Sequence, residues 1–279
     1  HALHMPTHIY LALGMWDKVV SSNIVSWNAE RERKARKQLN NNALGYHSWH
    51  WLQYGELQNG NREKARGMVD SMQQYCTELP SPLARAHMIL LRSTYLAETK
   101  DYLSPMAAIS FQNNDLNIMT RAKDYFITGM RAYHMKDTAE LNRIITRMAG
   151  ERLVEQQKIS DKGIRVCGNI NRSIATQGDL EKTEIMELEL RAMLALLSNN
   201  NNEAEKYFKL ATDIENKTSY AYGPPQVAIP SFELYGDWLL SVNRPAEALL
   251  QFERSLELAP NRRLALAGKL NAGKMQASL

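Results

Sequence analysis

Five of the seven histidines fall in two short stretches. His1, His4 and His8 are spaced i, i+3, i+7, which on one continuous helix sets them within a narrow arc. His47 and His50 repeat the i, i+3 step, and Tyr54 stands seven residues after His47. Each stretch runs into a glycine, Gly14 or Gly60. Counting back from those glycines sets His1 level with His47, His4 with His50, and His8 with Tyr54. Imidazole nitrogen is a good ligand for zinc, copper or nickel, and His4 with His8 has the i, i+4 spacing of a chelating pair. The metal candidates are therefore His4, His8, His47 and His50, and the cofactor would be a divalent transition metal. Against this, the chain has no HExxH. The nearest carboxylates, Asp17 and Glu56, do not fall on the same face, and Pro6 interrupts the first stretch. Two other readings stay open: histidines that pack and hydrogen-bond between helices, or a polar, aromatic surface that grips a ligand without any cofactor.

The elements that carry these residues are helices. The clearest unit is Ser231 to Pro260. Phe232, Tyr235, Leu239 and Val242 recur at helical spacing, with Gly236 among them. Glycine inside a helix costs roughly 1 kcal/mol against alanine, so it needs a packing reason. Close approach of a second helix supplies one. Ser-Val-Asn-Arg-Pro breaks the pattern, and Pro245 suits the first turn of the next helix. Ala248, Phe252, Ser255 and Leu256 then form the return stripe, and Pro260 ends the unit. Leu141, Ile145 and Met148, and later Ala204, Phe208 and Ala211, repeat that stripe.

This unit resembles the tetratricopeptide repeat, an antiparallel helix pair of about 34 residues. Tyr235-Gly236, Leu239, Ala248, Phe252 and Pro260 carry the resemblance, and Ser255 replaces the usual alanine. The opening HALHMPTHIYLALGMW is similar to a bacterial tetratricopeptide-like subgroup with an HMPSHIF-x-x-LG-x-W signature, with Thr7 and Tyr10 as the departures. The resemblance implies one all-α unit over 1–279, a right-handed α-solenoid of about six stacked helix pairs. It also implies that one face of each first helix lines a concave groove that binds a peptide or protein partner, so that the chain is an interaction scaffold more than an enzyme. On that face lie His1, His4, His8, His47, His50 and Tyr54, then Lys123, Phe126, Met130, Tyr133 and His134. Met186, Glu189 and Met193 follow, and Glu233 and Asp237 end it.

Along the rest of the chain, helix pairs are expected at 1–13 with 16–37, 43–58 with 62–77, 116–135 with 138–157, and 180–198 with the stretch after the asparagines at 199–202. Residues 83–99 read as a helix whose partner is short and irregular near 103–111. Residues 158–180 give no clear pairing, 217–230 form a Pro-rich loop, and 261–276 form a capping helix. The first residue falls inside the pattern, so the chain reads as the C-terminal part of a longer one.

Composition excludes some functions. A net charge of +4 over 279 residues, with a pI of about 8.9, is weak evidence for an anionic partner. No basic stripe with interleaved aromatics repeats from unit to unit, as a helical-repeat RNA reader needs, so no nucleic-acid partner is expected. No apolar run approaches the roughly 20 residues that span a bilayer. Gly163 to Gly168 has P-loop glycine spacing, but Asn169-Ile170 replaces the Lys and Ser/Thr. There is no GxSxG, and no catalytic residue is assigned. The two cysteines, Cys76 and Cys167, form no CxxC and read as small buried residues.

Overall fold

The computed structural model describes residues 2–159, 175–218 and 223–278. The unassigned stretch at 158–180, the P-loop-like glycines, Cys167 and His1 therefore lie wholly or largely outside the described residues. Among those described, all regular structure is helical: α1 (Pro6–Ala12), α2 (Trp16–Arg36), α3 (Tyr46–Gln58), α4 (Arg62–Glu78), α5 (Pro82–Thr99), α6 (Ile118–His134), α7 (Thr138–Lys158), α8 (Gln177–Leu197), α9 (Asn201–Lys217), α10 (Ser231–Ser241), α11 (Pro245–Leu258) and α12 (Arg263–Gln276). Each helix packs chiefly on its neighbours in sequence, and the first helices of successive pairs also touch, α3 on α5, α5 on α6, and α6 on α8. This is a solenoid-like stack. The partner of α5 is a short 3₁₀ turn at Pro105–Ala108, as the irregular sequence implied.

The pairs are set by one recurring turn. Gly14, Gly60, Lys136, Asn199 and Asn243 all have positive φ, and each sits two residues before the second helix of its pair. The following amide in each case donates back five residues: Met15 to Tyr10, Asn61 to Glu56, Asp137 to Ala132, Asn200 to Ala195 and Arg244 to Leu239, at 2.8–2.9 Å. That is the Schellman ending, which satisfies the last carbonyls of the first helix while reversing the chain. Equal turns give equal register, so counting back from Gly14 and Gly60 compares equivalent helix positions.

The return stripes are buried as expected. Ala248, Phe252 and Ser255 are almost fully covered, as are Leu141, Ile145 and Met148, and Ala204, Phe208 and Ala211. A Cβ built on Gly236 would stand 2.8 Å from the Phe252 ring, and one on Gly268 of α12 only 2.3 Å from it. The ring is thus held between two glycines, one on its own pair and one on the capping helix.

The stack closes on itself. Trp16 Nε1 donates to the Asn261 carbonyl at 2.8 Å, and the Arg263 amide donates to Gln58 Oε1 at 2.9 Å. Arg262 lies fully buried at the start of α12. Its guanidinium reaches Glu98 on α5 at 2.6 Å, the Tyr54 hydroxyl on α3 at 2.7 Å, and both oxygens of Glu233 on α10. The start of the last helix therefore docks on α3 and α5, with Trp16 of α2 beside it.

The glycine contact gives a test with an unambiguous sign. Helix propensity alone makes Gly236→Ala stabilising by about 1 kcal/mol. Because Gly268 blocks retreat of the Phe252 ring, overpacking is expected to win and to destabilise by about 1–3 kcal/mol in denaturant melts. A more stable variant would remove the close-approach argument.

Candidate functional site

Closure changes the concave face. His50, Tyr54 and Phe126 are buried, Tyr54 by Arg262 and the capping helix. Much of the face is covered by the chain itself. Residues 223–230 of the Pro-rich loop lie across it in an irregular, non-helical course. Lys123 Nζ on α6 donates to the Pro225 carbonyl at 2.8 Å, and Gly223 sits so close to Trp51 on α3 that a Cβ there would stand 2.9 Å from the indole. Burial pulls the Lys123 ammonium down to about 7. Where the loop rejoins the stack, two carboxylates, one buried and one half-buried, hold Ser231. Glu215 accepts from its amide at 2.7 Å, and Glu189 Oε1 accepts from its hydroxyl at 2.9 Å. Desolvation pushes both carboxyls up, Glu215 to about 7.

Two recesses remain on either side of this loop. The smaller, about 120 Å³, lies between Leu11, Trp16, Glu215, Phe232 and the loop prolines. The larger, about 230 Å³, is walled by Met130, Tyr133 and His134 of α6, Met193 of α8, and Leu234 and Trp238 of α10. Met130 and Tyr133 were expected to line a groove, and His134, Met193, Glu233 and Asp237 from the same reading border this recess with them. Lys100 and Asp237 pair at 2.5 Å on its partly exposed rim.

The histidines divide. Within 1–13 helix α1 begins at Pro6, the residue that interrupts this stretch in the sequence, because proline fits the first helical turn and not its interior. Residues 2–5 form a turn before it. Met5 nevertheless has right-handed helical dihedrals, so His4 and His8 still stand together, with ring centroids 5.2 Å apart. His47 of α3 joins them, 4.6 Å from His4 by ring centroid. One nitrogen from each of the three lies within 4.8 Å of the others. Trp51 packs against all three rings. His50 is not in this group: its Nε2 bonds the Thr94 hydroxyl on α5 at 2.8 Å, so the fourth metal candidate is a packing histidine. The two nearest carboxylates are also engaged elsewhere, Asp17 by Asn59 and Glu56 by Asn61.

Three elements of the site had no sequence signal that periodicity could carry. They are Arg262, its partner Glu98, and the course of the loop over the face. The prolines at 224, 225 and 230 marked a loop, but not its position. Family models match no part of the chain, and neither the curated proteins nor the solved structures give a match.

Desolvated groups of opposite kind make the acid response of stability separable. His87 is held down to about 4 by burial, so the unfolded chain takes up a proton first, near the ordinary 6.5, and stability falls as pH drops from there toward 4. Glu215, held up at about 7 against an ordinary 4.5, binds its proton first in the fold, so its contribution is present below 4.5 and is lost as pH rises through 7. Between pH 7 and 5 the two oppose each other. Thermal melts at those two pH values are expected to show the largest loss in Glu215→Gln, an intermediate loss in the wild type, and the smallest in His87→Gln. Equal losses in all three would contradict these protonation states.

Proposed function

We propose that the chain is a non-enzymatic helical-repeat scaffold, tetratricopeptide-like in design, that binds an extended peptide segment of a protein partner. The partner's apolar or aromatic side chain would seat in the recess between α6, α8 and α10. The observation that carries this reading is the recess itself: an aromatic and methionine-lined hollow of about 230 Å³ with a charged, partly exposed rim. Binding hot spots have this anatomy, an apolar anchor pocket surrounded by polar groups. Methionine walls adapt to more than one side-chain shape. The loop supports the peptide part of the reading, because Lys123 grips its backbone carbonyl as it would grip a partner's. Glu233 borders the recess but is locked to Arg262 and Ser255, an arrangement suited to holding shape more than to turnover.

Selection from a displayed peptide library on untagged protein tests this. Enriched peptides are expected to share one large apolar residue. Ser241→Trp, placed on the exposed rim of the recess, is expected to weaken them at least about tenfold while leaving the melting temperature unchanged. No enrichment, or equal binding by Ser241→Trp, would refute the assignment.

A further inference from the structure

The histidine trio carries an inference independent of the recess. It starts from the tautomer of His4. Asn23 Nδ2 donates to the Val19 carbonyl at 2.8 Å, which turns the amide oxygen toward His4. That oxygen stands 2.8 Å from His4 Nδ1 and can only accept, so Nδ1 carries the hydrogen. In the neutral ring the lone pair is then on Nε2. His4 Nε2 is buried and has no hydrogen-bond partner, although a buried polar atom left unpaired costs about 1–3 kcal/mol. The other two imidazoles of the group meet His4 edge to face, at 76° for His8 and 73° for His47, so the three rings converge and do not stack.

We propose that His4, His8 and His47 form a three-imidazole site for a divalent transition metal ion of the zinc, copper or nickel class. The three nitrogens lie within 4.8 Å of one another, so an ion at their centre would stand at most about 2.8 Å from each, and rings closing in by about 0.7 Å would reach the Zn–N distance of about 2.0–2.1 Å. The donor set is all nitrogen, which selects borderline metals over magnesium or calcium. Asn23 does what an outer-shell partner does at such sites, fixing the ring's tautomer and orientation through its other nitrogen. Two of the ligands precede or belong to α1 and the third belongs to α3, so the ion would tie the first pair to the second. Three protein ligands leave a fourth position for a water or a donor from outside.

The test uses untagged protein stripped with chelator and then titrated with Zn²⁺ and with Co²⁺. The expected result is one equivalent of Zn²⁺ bound and the intense visible bands of four-coordinate Co²⁺. His8→Ala, a half-buried position, is expected to keep the fold by circular dichroism and to weaken binding at least about a hundredfold. Asn23→Leu, which removes the amide that accepts from His4 Nδ1, is expected to weaken it about 10–100-fold. His50→Ala should bind as the wild type does. Absence of stoichiometric binding, or equal affinity in His8→Ala and the wild type, would overturn the proposal. If His8→Ala does not fold, His47→Gln carries the same expectation.

Discussion

The guanidinium of Arg262 is the contact on which the rest of the arrangement depends. It is fully buried between Glu98 and Glu233, with the Tyr54 hydroxyl as a third acceptor. A charge in that position is tolerated only because its donors are met by carboxylates at hydrogen-bond distance. Removing one member of such a group typically costs about 3–5 kcal/mol, since the other charges stay buried without it. The four residues come from α3, α5, α10 and the start of α12. A stack of helix pairs needs contacts only between neighbours. This interaction, with the Trp16–Asn261 and Gln58–Arg263 bonds beside it, instead binds the start of the last helix to the second and third units.

What the concave face can do follows from that closure. Closure buries Tyr54 and, with the loop over the face, leaves two recesses in place of a continuous groove. The recess proposed to take a partner's side chain lies toward the C-terminal pairs. The histidine trio lies at the first two pairs, with Trp51 between it and the loop at Gly223. The two sites thus use different parts of one scaffold. Trp51 is the side chain that touches both the trio and the segment crossing the face.

The helical stack was legible because its determinants are local. Stripes such as Ala248, Phe252 and Ser255 announce a buried face by spacing, and Gly236 among large residues announces a close neighbour. The register of the histidines was legible for the same reason: Gly14 and Gly60 end their helices by the same turn. Periodicity assigns a residue to a face but says nothing of what covers that face. Hence His50, level with His4 by register, was a ligand candidate until its bond to Thr94 on the next unit was seen. Hence also Tyr54 was expected to line a groove, although Arg262, more than two hundred residues away in sequence, seals it. A pairing at that separation leaves no pattern in a single chain. The start of α1 was the converse case, where Pro6 had already marked the boundary that the structure places there.

Small-angle scattering of the wild type and of Arg262→Met tests the central claim, that the array is held closed by this buried cation. Helicity should be retained in the variant, because each pair keeps its own stripe and turn. The account predicts a larger radius of gyration and a longer maximum dimension in Arg262→Met, as the start of α12 leaves α3 and α5. An unchanged scattering curve, with unchanged stability, would contradict it.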